Sequence, residues 1–429
     1  MLLTTSILLA SAAASAQPDP AQLRGTVEKL VSFGTRHTLS SATDPKRGIG
    51  AARLWTAGRF QALGKSCGDC LTVETIGDQF TGPRAPAGVR VENVLAVQRG
   101  ASDPERVIIV QAHIDSRVSD VMDFTSDAPG ANDDASGVAL VMEAARLLSK
   151  ERFPATIVYA ALSGEEQGLW GGQLLARVAK ERGWKVAAVL NNDIVGNTTG
   201  TGGARDSKRV RVFSEGILGS GDLDAVKAQR ANGGGEDSPS RALAKAIRRV
   251  AERADGLEVI AVGRPDRFQR GGDHTAFLTA GIPAAVRFSE VTENYDHQHQ
   301  TLRTEGGKFY GDTIQFMDFP YLARVTALNM DVVRELANAP GAPEDVTIAG
   351  ALSADTTVSW QPAPGAAGYR IRWRQADKGD WTDSRDVAAD ATTVKLDGVN
   401  IDHHFFGVSA LSASGQESLV TFAGPTPRR

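Results

Sequence analysis

Cysteine is nearly absent from this chain: 429 residues contain two, Cys67 and Cys70, in a Cys-Gly-Asp-Cys segment. Two cysteines cannot complete a tetrahedral thiolate zinc site, and no histidine lies near them in sequence. The spacing also suits a redox dithiol, but no thioredoxin-like pattern surrounds it. The expectation is a local disulfide pinning a helix end in an oxidising compartment. An excess of charge of one sign is lacking too. The 47 Lys and Arg against 51 Asp and Glu leave a net charge of −4, and basic residues form only short clusters such as Lys208-Arg209. Nothing there indicates a nucleic-acid partner. Beyond the first sixteen residues no run is long and apolar enough to cross a bilayer. Residues 2–16, LLTTSILLASAAASA, end in Ala-Ser-Ala before Gln17-Pro18. They look like a secretory signal with an A-x-A cleavage site, although the segment before the apolar run has no Lys or Arg. The alternative is a membrane anchor, for which about 15 residues is short. Residues 1–16 are therefore expected to be removed and the protein to be secreted or periplasmic, with no stable membrane insertion.

What is present is ordinary for a globular protein: 41% apolar and 23% charged residues, in a chain long enough for two domains. Apolar residues recur at helical spacing over 21–33 and 46–64. From residue 91, strand-like runs alternate with helices. Val91–Val97 and Val107–Ala112 read as neighbouring strands, followed by a helix over 136–150, a buried strand at Ala155–Leu162 and a helix over 170–182. Further strands are expected at Val186–Leu190, Leu257–Val262 and Ala284–Phe288, with helices at Ser240–Ala254, Asp273–Thr279 and Tyr321–Leu336. The Gly-rich segments 196–208 and 231–239 read as surface loops. The alternation predicts an α/β domain over 17–338, its sheet covered on both faces and its ligands at the carboxyl ends of the strands. Ala339-Pro-Gly-Ala-Pro343 reads as a linker over 339–343. Beyond it the apolar period becomes two, predicting a small all-β sandwich over 344–429. Val-Ser-Trp360, Gly-Tyr369-Arg-Ile-Arg-Trp373 and Phe406-Gly-Val-Ser-Ala410 resemble a fibronectin type III domain. Its aromatics are expected in its core, with binding to carbohydrate or protein surfaces as a further possible role. The pair His403-His404 is expected to be exposed and free of metal.

Five stretches of the first domain offer an acid or a histidine in a setting that suits a metal: His113-Ile-Asp115-Ser, Asn132-Asp133-Asp134-Ala-Ser-Gly137, Glu165-Glu166-Gln-Gly168, Asn192-Asp193 and His297-Gln-His299. Each alone has a plain structural explanation, such as a helix-dipole acid pair or a turn aspartate. Together they are hard to explain that way, because the strand ends across the middle of the sheet all carry such groups. Zinc takes imidazole nitrogen and carboxylate oxygen; two zincs close together need a bridging carboxylate, and a further carboxylate must move the proton. Glu165-Glu166 suits a division of these roles, since neighbouring side chains at a strand end point different ways.

His-x-Asp-Ser, Ala-Pro-Gly-Ala-Asn-Asp-Asp-Ala-Ser-Gly and Gly-Glu-Glu-Gln-Gly-Leu, in this order and spacing, resemble the M28 zinc peptidases of the secreted aminopeptidase type over about residues 25–335. The resemblance implies a three-layer α/β/α fold with a central mixed, mostly parallel sheet, two Zn2+ per chain and peptide substrates. It also implies residue roles. Asp133 would bridge the metals, His113 and Asp193 would complete one site, and Glu166 with a late histidine the other. Glu165 would be the general base, taking the proton from water and passing it to the leaving amine. Asp115 would hold the His113 imidazole from behind. The late histidine is His299 when Thr304 is aligned with the family's closing Thr, and His297 otherwise. An acid usual before that Thr is replaced by Arg303. Asp273-His274, preceded by Gly272 where the family has Ser, is expected to shape the pocket without binding metal. Tyr295, close to His299 in sequence, is a candidate hydrogen-bond donor to developing charge. A carboxypeptidase or dipeptidase on the same fold, a single-zinc glutaminyl cyclase and a catalytically inactive binding ectodomain are the rivals.

Overall fold

The computed structural model describes residues 16–217, 223–254 and 256–425. The expected signal segment lies outside the described residues except for its last position. Eight strands form one mixed sheet: β1 (Thr72–Gly82), β2 (Ala85–Gln98), β3 (Asp103–His113), β4 (Ala155–Leu162), β5 (Lys185–Asn192), β6 (Arg209–Ser214), β7 (Glu258–Val262) and β8 (Ala285–Glu290). Their order is β1-β2-β4-β3-β5-β8-β6-β7. The centre, β4-β3-β5-β8, is parallel throughout, and antiparallel pairs flank it at β2/β4 and β8/β6.

The expectation that Val91–Val97 and Val107–Ala112 pair with each other is corrected here. β4 lies between them, antiparallel to β2 and parallel to β3. Burial gives the reason. From Arg106 to His113 every residue of β3 is buried, as is every residue of β4, so both need covered neighbours on each side. The first half of β2 is largely exposed and takes an outer place beside β1. Alternate side chains of β3 feed two cores. Ile108, Val110 and Ala112 join the larger core, which also contains residues of the helices Pro20–Val31, Ile49–Ser66, Ala135–Leu148, Pro239–Arg253 and Phe319–Asn338. Val107 and Ile109 join a second core with Leu174, Leu175 and Phe277, from the helices Trp170–Glu181 and Asp273–Thr279. Each such side chain contributes roughly 1.5–3 kcal/mol when fully buried. Parallel pairing then brings the carboxyl ends of β3, β4 and β5 to one rim of the sheet. The Cys67–Cys70 disulfide is formed at the end of the helix Ile49–Ser66.

The C-terminal residues form two four-stranded sheets, one built on Glu344–Ala349 and Thr356–Gln361, the other on Gly368–Gln375 and His404–Leu411. Trp360, Tyr369, Ile371 and Phe406 are buried between them, with the Trp360 and Tyr369 rings 5.3 Å apart. Of the aromatics expected in this core, Trp360, Tyr369 and Phe406 are in it, while Trp373 packs against it partly buried. This unit is fastened to the first by a buried ion cluster: Asp237 pairs with Arg374 at 2.5 Å and with Lys245 at 2.6 Å. Stranding one buried member of such a cluster costs about 3–5 kcal/mol.

Candidate metal centre

His113 is the last residue of β3, and Asp193 directly follows β5. Glu165 and Glu166 begin a helical turn, Glu165–Gly168, two residues beyond β4. Asp133 lies just ahead of the helix Ala135–Leu148, whose cap is Asp134, accepting from the Gly137 amide at 3.0 Å. The Asp133–Asp134 peptide is cis. Gly137 is required at its position, because a Cβ there would meet the Asn192 carbonyl oxygen at 2.3 Å. His299 comes from the loop after β8, with its backbone in the left-handed region at φ +57°, an uncommon conformation for a residue other than glycine.

These side chains converge as two groups, buried except for the partly exposed Glu165 and His299. His113, Glu165 and Asp193 form one, and Asp133, Glu166 and His299 the other; within each, one ligand atom per residue lies within 4.8 Å of the others. Asp133 connects them. Its Oδ1 is 3.1 Å from His113 Nε2, and its Oδ2 is 2.8 Å from His299 Nε2. His113 Nε2 is also 3.9 Å from Asp193 Oδ1, and His299 Nε2 is 3.0 Å from Glu166 Oε1. Imidazole nitrogens and carboxylate oxygens without thiolate are a donor set that suits zinc. The two glutamates diverge because they occupy successive positions of a helical turn, not alternate faces of a strand as the sequence suggested.

Asp115 acts differently from expectation. Its backbone carbonyl accepts from His113 Nδ1 at 3.1 Å, while its carboxylate is 3.6 Å from that nitrogen. The carboxylate instead accepts from Thr38 Oγ1 and from the amides of Glu165 and Glu166, at 2.8, 3.3 and 3.1 Å. It anchors the turn that carries both glutamates. Tyr295 is also corrected: it is half exposed, and its hydroxyl donates to Glu293 rather than toward the centre. His297 stacks on Phe316 and belongs to neither group. His274 donates from Nε2 to the Pro265 carbonyl at 2.7 Å, and Asp273 accepts from the Gly172 amide at 2.9 Å; both are buried and outside the two groups. A cleft of about 750 Å³ alongside is lined by Arg205, Phe316 and Phe319.

Four residues at the centre carry no sequence motif. Arg287, in the middle of β8 and fully buried, pairs with Asp193 at 2.9 Å and with Asp266 at 2.7 Å. Arg117 pairs with Glu166 at 2.8 Å. Asp312 accepts from the amides of Asn132 and Asp133, fixing the residue that connects the two groups. Only Arg287 left a trace in the sequence, as a charge inside an otherwise apolar run.

Carboxylates gathered this closely raise one another's proton affinity. Burial raises the Glu165 carboxyl well above its ordinary range, helped by the charges of Glu166, Asp193 and Asp273 and opposed by His113. Burial would lower His113, but Glu165, Asp115 and Asp133 together raise it well above an ordinary histidine. Asp273 is pushed by burial up to about 7. A carboxyl raised on folding contributes stability that is complete below its unfolded value and is lost as pH rises through its folded value. In the metal-free protein, wild type should therefore lose stability relative to Asp273→Asn between about pH 4 and pH 7, on the order of 3 kcal/mol. Denaturant melts of both proteins across that range measure it. A stability difference independent of pH would contradict the burial account.

Residues 93–306 match the sequence model of Peptidase family M28. A probable zinc metalloprotease of Leptosphaeria maculans is 45% identical over 410 residues, covering 94% of each chain. Among solved structures, a leucine aminopeptidase precursor from Bacteroides thetaiotaomicron superposes with a TM-score of 0.54 at 17% identity, over 74% of this chain and 97% of that one. A glutaminyl cyclase from Porphyromonas gingivalis gives 0.52 at 18% identity, over 75% and 99%. At such identities the superpositions establish the fold alone, and the two differently named proteins carry it equally well.

Proposed function

Because this chain belongs to peptidase family M28, we propose that it is a secreted dizinc exopeptidase that releases residues from the free amino end of peptides. The observation that carries this is Asp133, whose two oxygens face two different histidines, each backed by a further acid. His113 and Asp193 would hold one zinc, Glu166 and His299 the other, and Asp133 both. Zinc at these positions would supply Lewis acidity to a scissile carbonyl and lower the pKa of water. Glu165 manages the proton. It is a partly buried carboxylate with raised proton affinity, which suits a base that takes a proton from water and returns it to a leaving amine. Asp115 keeps Glu165 in place by accepting its amide. Residues 17–338 would form the peptidase unit and 344–429 an appended sandwich available for binding carbohydrate or protein surfaces.

The test is hydrolysis of aminoacyl anilides beside their N-acetylated forms, with and without chelator. Chelator-sensitive cleavage of the free-amine substrates alone is expected. Cleavage only of substrates with a free carboxyl end would instead make the protein a carboxypeptidase, and cyclisation of amino-terminal glutamine a glutaminyl cyclase.

A further inference from the structure

Arg117 touches both side chains that would complete the second metal position. Its Nε is 2.8 Å from Glu166 Oε2, and its Nη2 lies against His299 Nδ1. Its third nitrogen donates to the Val118 carbonyl, and the side chain is only 17% exposed. We propose that Arg117 makes the two metal positions unequal: it competes with the ion for Glu166 and His299, so that this position holds zinc more weakly and exchanges it more readily than the His113–Asp193 position. This rests on the dizinc assignment above.

Charge is the first reason. Each position has an arginine beside it, but the two are balanced differently. Arg287, beside Asp193, is neutralised by Asp266, which accepts from its Nη1 with both oxygens at 2.7 and 2.8 Å. Glu165 adds a further carboxyl to that group. Among the described residues, Arg117 has no carboxylate partner except Glu166. Its charge therefore cancels that of the ligand, and it repels a divalent ion.

Donor and acceptor inventory is the second. The Nδ1 of His113 faces the Asp115 carbonyl, which only accepts. Nδ1 thus keeps its proton against that carbonyl, which leaves Nε2, the nitrogen facing Asp133, as the one for an ion. Metal-binding histidines are normally held this way. His299 is set the opposite way. A guanidinium only donates, so Nδ1 must accept from Arg117 and the ring proton is on Nε2, the nitrogen that faces Asp133 and Glu166. For Nε2 to bind metal, the proton must leave it and Arg117 must draw back from Nδ1. Among the described residues no acid faces Nδ1 in its place: Arg303, which stands where the resembled family usually has an acid, is occupied with Glu305, Gln300 and the Thr301 carbonyl.

Calorimetric titration of Zn2+ into the metal-free full-length protein tests this, repeated with Co2+ by visible absorption. Wild type should bind in two resolved steps. In Arg117→Ala the weaker step should tighten by about tenfold or more, the scale on which groups behind a ligand tune metal affinity, while the tighter step stays put. Arg117→Met keeps the aliphatic stem and serves if the alanine variant folds poorly. One ion in wild type and two in the variant would support the proposal equally. Two steps in both proteins with the weaker one unmoved, or weakened further, would overturn it and leave the dizinc assignment standing. A single step in both would overturn the dizinc assignment, and this proposal with it.

Discussion

Glu165→Gln is expected to lower kcat by about 10²–10⁴-fold, the range that a positioned general base contributes, while zinc content stays at the wild-type level. Glutamine preserves the shape of the side chain and removes only its capacity to hold the proton. The separation matters because Glu165 is close enough to His113 and Asp193 to be counted with them as a possible ligand. A base and a ligand at this position make different predictions. Loss of the base leaves metal bound and substrate affinity close to wild type, so KM moves little while kcat falls. Loss of a ligand removes about one equivalent of zinc. Elemental analysis of the purified variant beside its steady-state kinetics distinguishes the two, and a zinc-depleted variant would make Glu165 a ligand.

Asp133→Ala is expected to have the larger effect on metal, because in the proposed centre this one carboxylate would serve both positions. Its Oδ1 faces His113 and its Oδ2 faces His299, and Gln298 donates to Oδ2 at 3.2 Å. Its backbone is held by Asp312 and, through the cap at Asp134, by the start of the helix that follows. Truncation leaves that frame intact and removes the shared ligand, so zinc binding should weaken at both positions together. Ligand linkage makes this visible as stability: an ion at about 100 times its Kd raises folding stability by roughly 2.7 kcal/mol, and this rise should vanish in the variant. Thermal melts with added zinc, beside metal content, supply the measurement. Retention of two equivalents of zinc by Asp133→Ala would remove it from the bridging position.

Much of the centre was legible because its residues follow the ends of strongly apolar strands. β4 is eight buried residues long and was readable to its bounds, and the Glu165-Glu166 turn begins two residues later. The Asp133 segment announces itself by its capping aspartate and by a glycine that nothing larger can replace. Other parts left weak signals. β1 has only Ile76 buried, so its pattern is nearly that of a loop, and its position at the sheet edge explains why. The order of β2, β4 and β3 is set by which strands need covering on both sides, a comparison among segments far apart in the chain. Asp115 was placed beside the correct histidine, but local backbone geometry gives that contact to its carbonyl and frees the carboxylate for the glutamate turn. Arg117 follows no pattern and Arg287 shows only as a charge in an apolar run, because their roles are defined by the acids that folding brings to them.

The central claim is that Asp133 joins two zinc positions. Diffraction from crystals of the zinc-loaded protein, with data on both sides of the zinc absorption edge, tests it most directly. Two anomalous peaks are predicted, one between His113 and Asp193 and one between Glu166 and His299, each within bonding distance of a different Asp133 oxygen. A single peak at saturating zinc, or two peaks of which Asp133 reaches only one, would contradict it.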